Sequence, residues 1–496
     1  MSLELKPAQL TQSPLPADEQ SIKSAAHILF VLPATRPADL PFAEVLDAKL
    51  KRTQGKYSEL VKSHVFAELP DGKVASWLVL NDKASAFKRH TQLRKALKPL
   101  FEEKPQALTI LVYGNESIRK KAAQDAFYVA AVNANALPNS KSDKNKKNKK
   151  KTRHLKLIEL HGFADPSGFA DIQAIVAGSS LARQLSILPP NELTPAIYRE
   201  KIVKMAKNSG WQYEEYDFKR LRKMGAGAFV AVAQGSDPQD AAIVHLQYAP
   251  KGAKKHISLV GKGICFDTGG HNLKPAKYMN GMHEDMNGSS VALGILHAAT
   301  RAKLPIKIDC WLAIAQNHIG PLAYKQNDVV TALNGTTIEV VHTDAEGRMV
   351  LADTLTLASR TKPSFIMDFA TLTGSMYVAL GNRASGIIGN RPVLLSKAVE
   401  IGVEVGERVY ALPFDEDYEE DLDSDIADIK QCTLEGGADH TLAARFLSRF
   451  IEGDIPWVHV DLSSYSCKGG LGAVATDTNG FGVHLAFRLI QEKFGH

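Results

Sequence analysis

The sequence predicts an α/β protein of two domains, in which the larger domain is built on a largely parallel sheet covered by helices. Three observations support this prediction. The chain has 496 residues, which is enough for two or more domains with ample hydrophobic cores. From residue 241 onward, short β-branched segments alternate with longer segments of helical periodicity. This alternation is typical of a largely parallel sheet with helices on both faces.

The first third of the chain predicts a smaller α/β domain. The predicted strands are 25–32, 73–80, 107–113 and 154–161, and the predicted helices are 85–101 and 116–133. Residues 163–169 contain a proline and a glycine and predict a linker. We therefore expect one domain over residues 1–165 and a second over residues 166–496.

The second domain carries the alternating pattern. The predicted strands are 241–248, 256–260, 306–315, 336–341, 365–370 and 457–462. The predicted helices are 171–188, 288–301, 349–360 and 441–450. The first of these helices is expected to end at Leu188, because Pro189 and Pro190 cannot continue it.

The net charge of +6 is almost wholly local. Between Lys141 and Lys151 the chain carries seven lysines and one aspartate, so the remainder is close to neutral. We expect residues 138–152, which are rich in Lys, Asn and Ser, to form a flexible loop. This Lys-rich loop could bind nucleic acid by neutralising phosphates. A solubilising insertion is the favoured interpretation, since no aromatic residues are interleaved for base stacking.

Composition argues against several other classes. No run of about 18 apolar residues is present, so no membrane-spanning helix is expected. The first 20 residues lack a basic region followed by an apolar stretch, so no secretory signal is expected. The cysteines show no CxxC spacing and are expected to be reduced thiols of a cytoplasmic protein: Cys265, Cys310, Cys432 and Cys467.

A charged cluster follows the predicted strand 336–341. It comprises Asp344, Glu346 and Arg348, which alternate along the chain. In an extended segment residues two apart point to the same side, so we expect these side chains to project together. Two carboxylates aimed at one place need a counter-charge, which a pair of divalent metal ions would supply. An isolated cluster of this kind favours a solvated turn, so the interpretation depends on a second cluster.

The second cluster follows the predicted strand 256–260. Its ionisable members are Lys262, Asp267, Lys274 and Asp285. We interpret the glycines among them as tight turns where backbone can approach a ligand: Gly261, Gly263, Gly269 and Gly270. Carboxylate oxygens suit Mg²⁺ and Mn²⁺ and also bind Zn²⁺. A lysine can bind a metal only as a neutral amine, which an adjacent dication would favour.

Both clusters are predicted to lie at the carboxyl ends of strands. Residues 371–374 occupy the same position after the predicted strand 365–370. In open α/β sheets ligands bind beyond these strand ends. The sequence therefore predicts a single site to which three separate segments contribute.

Together the two clusters resemble the signature of the leucine aminopeptidase family, whose members are cytosolic two-metal enzymes that assemble as hexamers. The resemblance rests on TDAEGR at 343–348, and on GKGxxFDxGGxxxKP at 261–275 with an Asp eleven residues beyond its second lysine. It covers roughly residue 172 onward and includes 188–195, Gln316, Asn317 and 371–374.

By this resemblance, five residues are expected to bind two divalent ions, Mn²⁺ or Zn²⁺: Lys262, Asp267, Asp285, Asp344 and Glu346. Asp267 and Glu346 would bridge the two ions. Lys274 and Arg348 match the family's catalytic lysine and arginine, and the arginine would hold a bicarbonate ion that acts as the general base. An anion there suits the predicted helix start at Met349, because helix N-termini attract anions.

The resemblance implies an aminopeptidase that removes N-terminal, Leu-like residues from peptides by means of a water that bridges the two metal ions. Lys274 would stabilise the oxyanion, and Arg348 with its anion would pass a proton to the leaving amine. Met282, Thr371 and Gly374 match positions that line the pocket for the N-terminal side chain. The resemblance further implies a mixed sheet, a macro-like first domain, a homohexamer and cytoplasmic peptide turnover.

Three histidines stand where the family commonly has other residues, namely His271, His283 and His342. We interpret them as ordinary loop or strand-end residues in preference to partners of metal ligands.

Two other function classes remain open. A two-metal phosphoester hydrolase could use similar carboxylates, although it would not explain a lysine ligand and no P-loop is present. A DNA-binding protein could use the Lys-rich loop and the first domain, with the carboxylate site secondary.

Overall fold

The computed structural model describes residues 7–140 and 154–495 and confirms the α/β fold. The strands of the first sheet are β1 Gln9–Ser13, β2 His27–Leu32, β3 Val65–Leu69, β4 Lys73–Val79, β5 Ala107–Val112 and β6 Leu157–His161. They lie in the order β1-β6-β5-β2-β4-β3, and neighbours are parallel except β3 and β4. The Lys-rich residues from Lys141 to Lys151 lie outside the described residues.

The helices that accompany this sheet are α1 Ala43–Arg52, α2 Ala86–Glu102 and α3 Glu116–Val132. The side chain of Asn115 caps α3 by accepting a hydrogen bond from the Ile118 amide at 3.0 Å. On α2, the spacing of Leu93, Leu97 and Leu100 places all three in the core. α2 and α3 share one continuous hydrophobic core with the second sheet, so the two parts of the molecule pack directly together.

A larger sheet occupies the rest of the chain. The remaining strands are β7 Gln212–Asp217, β8 Ala242–Tyr248, β9 Lys255–Asp267, β10 Ile306–Asn317, β11 Val329–Thr331, β12 Thr337–Glu339, β13 Ile366–Ala370, β14 Ser385–Gly389, β15 Val409–Ala411, β16 Ile429–Lys430 and β17 Trp457–Asp461. The large sheet has the order β15-β14-β17-β13-β9-β10-β8-β7, and β11, β12 and β16 form a separate small sheet. The central strands β17, β13, β9 and β10 are parallel, and the sheet is mixed at its edges.

Helices cover both faces of the large sheet. They are α4 Ala170–Ser186, α5 Pro195–Ser209, α6 Phe218–Met224, α7 Gly227–Ala233, α8 Ala276–Met279, α9 Asn287–Arg301, α10 Glu346–Arg360, α11 Gly374–Leu380, α12 Pro392–Val405, α13 Asp439–Ser448 and α14 Val483–Phe494. Alternate residues of β10 enter different cores. Cys310 and Leu312 belong to the core on the α9 side, and Trp311 belongs to the core on the side of α7 and α10. None of the helices in the described residues has the length and apolar character needed to cross a bilayer.

The interpretation of Gly261 and Gly263 as tight turns is wrong. Strand β9 continues through both residues to Asp267. A Cβ atom on Gly261 would lie 2.5 Å from the Cα atom of Ser289, so the glycine lets helix α9 approach the strand. The turn comes later, at Gly269 and Gly270, whose φ angles of 86° and 64° match the prediction.

The expected extended conformation from Asp344 to Arg348 is also wrong. Helix α10 begins at Glu346, three residues earlier than predicted, so Glu346 and Arg348 belong to its first turn. The preceding strand β12 is short and lies in the small sheet, not in the large one. The acidic segment therefore reaches the site from a loop and a helix N-terminus, and not from the carboxyl end of a large-sheet strand.

Candidate active site

Four neighbouring parallel strands bring polar residues to one edge of the large sheet. Asp267 ends β9, Asn317 ends β10, Thr371 follows β13 and Asp461 ends β17. Asp267 and Asn317 are paired in register, and the Asn317 amide donates to Asp267 at 2.8 Å. This edge is the position at which open α/β sheets bind ligands, as the sequence predicted for Asp267 and Thr371.

The predicted metal ligands meet at this edge. A carboxylate oxygen from each of Asp267, Asp344 and Glu346 lies within 4.8 Å of the other two. Lys262, in β9, bridges to the remaining ligand, because its Nζ atom lies 2.8 Å from Asp285 and 2.8 Å from Glu346. The structure thus places all five predicted metal ligands in one contact network.

Lys274 closes the same network from the other side. Its Nζ atom lies 2.9 Å from Asp267 and 2.6 Å from Asp344. Lys262 is more deeply buried and also donates to the Thr371 carbonyl at 2.9 Å. Four carboxylates therefore face two ammonium groups, which leaves two negative charges in excess when all six groups are ionised.

This excess of acid makes the carboxylates hard to ionise. Burial raises the pKa of Asp344, and the neighbouring carboxylates raise it further, to about 7. The same causes, partly offset by Lys262, raise the pKa of Glu346 to about 7. For Asp285, burial outweighs the attraction of Lys262 and gives a pKa of about 6.

The lysines show the opposite balance. Burial lowers the pKa of Lys262, but Asp285, Glu346 and Asp267 outweigh it, so the pKa lies above its usual value. The pKa of Lys274 is raised in the same way by Asp267, Glu346 and Asp344. With protein groups alone, both lysines are therefore ammonium ions that neutralise part of the acidic cluster.

The donor set fits divalent metal ions. Carboxylate oxygens are ligands for Mn²⁺ and Zn²⁺, and two dications would more than offset the two excess negative charges. Asp285 supplies a buried carboxylate oxygen, Oδ2, that has no hydrogen-bond partner among the described residues. A dication beside Lys262 would reverse the local electrostatics and favour its neutral, ligating amine.

Arg348 lies next to this network but is directed elsewhere. It is 2% exposed, and its guanidinium donates to the Asp439 carboxylate at 2.7 Å and to the Gln431 carbonyl at 3.1 Å. The expected bicarbonate would have to share or replace these partners. A carboxylate of the protein itself thus contacts the guanidinium that the resemblance assigned to an external anion.

The predicted substrate-binding residues surround Asp285. The hydroxyl of Thr371 donates to the Asp285 carboxylate at 2.6 Å, and Met282 opens the short 3₁₀ helix Met282–Met286 that carries this aspartate. Gly374 begins helix α11, and an added Cβ there would meet no atom within 4 Å. Thr371 therefore contacts the carboxylate cluster directly, and Gly374 borders open space.

A second open region lies on the Lys274 side of the site. It is a cavity of about 360 Å³ that Lys274, Asp344, Leu273, Tyr278 and His342 line together with neighbouring residues. Leu273 and Tyr278 are exposed there. Open space therefore adjoins the carboxylates at Lys274 and Asp344.

Several supporting residues were missed at the sequence level. Asn317 and Tyr324 both donate to the Thr343 carbonyl, at 3.0 and 2.7 Å, and so fix the loop before Asp344. The side chain of Gln431 accepts from the His342 amide and donates to the Ala345 carbonyl. Only the position of Asn317, at the end of a predicted strand, could have indicated such a role.

Gly347 has a steric role that its place in the motif did not reveal. A Cβ atom on this residue would lie 2.7 Å from Cε and 2.8 Å from Nζ of Lys262. The glycine therefore lets the lysine pass over the first turn of α10 and reach Glu346.

The histidines near the site contact backbone groups. His271 pairs with the Tyr324 carbonyl at 2.9 Å, and Nδ1 of His342 accepts from the Asp344 amide at 3.3 Å. Burial lowers the pKa of His283. Their interpretation as ordinary loop residues stays a prediction.

Comparison with known proteins gives an independent assignment. Residues 180–487 match the model of the catalytic domain of the cytosol aminopeptidase family. A probable cytosol aminopeptidase from Stutzerimonas stutzeri is 41% identical over 66% of this chain and 67% of its own length. One from Pseudomonas syringae pv. tomato is 40% identical over 72% of this chain and 71% of its own length.

Solved structures agree over nearly the whole chain. The bottromycin maturation enzyme BotP, in complex with Mn, has a TM-score of 0.80 at 26% identity and covers 94% of this chain and 99% of its own. Leucyl aminopeptidase from Leishmania major, in complex with actinonin, has a TM-score of 0.79 at 26% identity and covers 98% of this chain and 95% of its own. The chain belongs to the cytosol aminopeptidase family and is an aminopeptidase of the leucyl type.

Proposed function

We propose that this aminopeptidase depends on two divalent metal ions and removes apolar, Leu-like residues from the N-terminus of peptides. The observation that supports the proposal most strongly is the buried excess of carboxylate around Asp267, Asp344, Glu346 and Asp285. Burying four acids with only two ammonium groups to balance them costs free energy, and the raised pKa values express that cost.

Five residues would hold the two ions: Lys262, Asp267, Asp285, Asp344 and Glu346. When bound, the ions would supply Lewis-acid chemistry that lowers the pKa of water and polarises the scissile carbonyl. Mn²⁺ and Zn²⁺ are the metals we propose, and the Mn complex of BotP is consistent with the first.

Lys274 is proposed to act on the scissile carbonyl oxygen. Its ammonium group borders both the carboxylates and the open cavity, so it can donate to an oxygen whose negative charge grows during attack. One of the two proposed ions would bind the substrate's free α-amine, and an internal peptide bond has no such amine to offer. That contact would be the basis of the proposed exopeptidase activity.

Met282, Thr371 and Gly374 are proposed to border the pocket for the N-terminal side chain. Methionine provides a deformable apolar wall, and the open space at Gly374 leaves room for a branched aliphatic group. Leucine and methionine are therefore the residues we expect to be removed fastest.

The experiment that tests this function is hydrolysis of aminoacyl-arylamides by protein stripped of metal with a chelator. Mn²⁺, Zn²⁺, Co²⁺ and Mg²⁺ are added back singly, and N-acetyl-leucyl-arylamide is the matched control without a free amine. We expect a restored activity that is greatest for leucyl and methionyl substrates and absent for the acetylated one. Full activity after chelation, or cleavage of the acetylated substrate, would contradict the proposal.

The remaining properties of the chain are also proposals. We propose a cytoplasmic homohexamer, for which light scattering should give six times the chain mass of 54.0 kDa. We place the domain boundary near residue 165, before helix α4, which limited proteolysis would test.

Deleting the residues from Lys141 to Lys151 should leave peptidase activity intact. A loss of DNA retention in that variant would indicate a second role for the loop.

A further inference from the structure

Arg348 already holds a carboxylate of the chain. Its guanidinium donates to Oδ1 of Asp439 at 2.7 Å and to the Gln431 carbonyl at 3.1 Å. The arginine side chain is 2% exposed and that of the aspartate 24%, so Asp439 is the more accessible member of the pair. Asp439 and Gln431 thus occupy Nη2 and Nη1 of the guanidinium, so an external anion would have to share Arg348 with Asp439 or displace it.

Asp439 is held in place from two directions. It is the first residue of α13, and Arg348 ties it to the first turn of α10, which also carries Glu346. The next residue, His440, receives two contacts from Ser375 of α11, one to its ring Nδ1 and one to its amide, each at 2.9 Å. The first turns of α10, α11 and α13 therefore converge near Asp439. The first turn of α10 carries Glu346 and Arg348, and α11 begins at Gly374.

The backbone before Asp439 is strained in a way that supports this placement. Ala438 has φ 50° and ψ 25°, a left-handed conformation that non-glycine residues seldom adopt. Such strain persists where surrounding contacts hold it, and it is concentrated at functional sites. Ser375 supplies those contacts and is itself linked to Asp461, the end of β17, through Thr373.

We propose that Asp439, held on Arg348, is the general base of this aminopeptidase and takes the place of an external bicarbonate ion. The inference rests on the proposed function. The Asp439 carboxylate accepts one proton from the attacking water as the water oxygen forms its bond to the scissile carbonyl carbon. The resulting carboxylic acid returns that proton to the leaving amine nitrogen as the C–N bond breaks, which restores the carboxylate.

The test compares two substitutions with the wild-type chain, all loaded with metal, in buffer freed of carbon dioxide. Asp439→Ala removes the carboxylate and leaves space, whereas Asp439→Asn keeps the shape and a contact to Arg348 but cannot accept a proton. Asp47→Ala is the matched control, because Asp47, on the exposed face of helix α1, forms a two-contact ion pair with Arg36. Hydrolysis of leucyl-arylamide is measured with and without added bicarbonate or formate.

We expect the wild type and Asp47→Ala to be fully active without bicarbonate and unchanged by it. Both Asp439 variants should lose roughly 10²–10⁴-fold in kcat, the usual contribution of a general base. Bicarbonate or formate should restore at least part of kcat in Asp439→Ala and none in Asp439→Asn, where the amide fills the space. A structural role alone would not produce this difference between the two variants.

Direct binding provides a readout that does not depend on activity. In ¹³C NMR with labelled bicarbonate, the wild type should show no bound ion and Asp439→Ala should show one per chain. An active wild type that requires bicarbonate, or binds one ion per chain, would overturn the role of Asp439 and leave the proposed function intact. Full activity of Asp439→Asn would also overturn it, and an inactive wild type would overturn both proposals.

Discussion

The two ends of the β9–β10 strand pair each bury a charged cluster, and the clusters differ in how their charges are balanced. Near the amino ends, the fully buried Asp309 lies opposite Ser258 and contacts His245, His256 and Gln247 at 3.2, 2.6 and 2.9 Å. At the carboxyl ends, Asp267 lies among three further carboxylates and two lysines. Asp309 is surrounded by hydrogen-bond donors, whereas Asp267 belongs to a group of carboxylates that has too few donors.

The pKa values express this difference. Burial raises the pKa of Asp309, but hydrogen bonds from His245, His256 and Gln247 outweigh it and hold the pKa well below its usual value. At the other end the pKa values of Asp344 and Glu346 rise to about 7. A buried acid that the protein fully satisfies stabilises the fold, whereas a group of acids left short of donors indicates a site for an external cation.

The largest expected effect comes from replacing one carboxylate oxygen by an amide nitrogen at each end of the β9–β10 strand pair. Asp267→Asn should lower kcat/KM roughly 10³-fold or more, because it removes charge from the bridging position of the proposed metal site. Asp309→Asn should leave the site intact and instead lower the free energy of unfolding by about 3–5 kcal/mol, since it breaks a buried ion pair. Kinetics and urea unfolding of both variants measure the two effects. Similar losses of activity in both would refute the division between them.

The next largest effect is expected at Lys274. Lys274→Ala should lower kcat by about 10²–10³-fold with little change in KM, because the ammonium is needed most when the oxyanion forms. Lys325→Ala is the matched control, as the Lys325 side chain makes only an exposed contact of 3.8 Å with Asp328 among the described residues. Steady-state kinetics check the prediction, and a rise in KM alone would assign Lys274 to ground-state binding.

A smaller effect is expected at Asn317, which orients Asp267. Asn317→Ala should weaken metal affinity about 10–100-fold, because residues that orient a ligand tune the metal without contacting it. Calorimetric titration with Mn²⁺ measures this affinity. An unchanged affinity would show that the strand pairing alone positions the carboxylate.

Gly374 should affect selectivity more than rate. Gly374→Ala adds one methyl group to open space, so the fold should tolerate it while the pocket becomes smaller. We expect the preference for leucyl over alanyl substrates to fall by about tenfold, the discrimination that one methyl-sized group usually provides. A panel of arylamides checks this, and an unchanged ranking would remove Gly374 from the pocket.

The smallest predicted effect is the pH dependence of stability. In metal-free protein, Asp285, Asp344 and Glu346 have folded pKa values of about 6 to 7, above those of unfolded acids. Between about pH 4 and pH 7 the folded state keeps protons that the unfolded state releases, so stability should fall as pH rises. We expect the Tm of chelated protein, relative to the metal-loaded form, to drop by a few degrees from pH 5 to pH 8. A constant difference would contradict the charge imbalance.

The sequence predicted which residues meet at the site better than it predicted their backbone conformation. Asp267, Asp344 and Glu346 were predicted as metal ligands because they belong to specific motifs after predicted strands, and the structure brings their carboxylates together. Gly261 was misinterpreted because nothing local indicates that helix α9 packs against it. The helix start at Glu346 was placed too late for the same reason, since the first turn of α10 is fixed by distant contacts.

Asp439 and Gln431 could not be predicted at all. They reach Arg348 across 91 and 83 residues of chain, and no local pattern records such a contact. Short edge elements such as β15 and β16 were missed because two or three residues carry no detectable periodicity. The parallel centre of the sheet was predictable since its strands are apolar on both faces.

The most direct test of the account is a titration of chelator-stripped protein with Mn²⁺, in which bound ions per chain and hydrolysis of leucyl-arylamide are followed together. We predict that activity is absent without metal and reaches its maximum when two ions are bound per chain, and that Asp267→Asn binds fewer. Full activity in the metal-free protein, or a maximum at one ion per chain, would contradict the claim that the acidic end of the β9–β10 pair is a two-metal site.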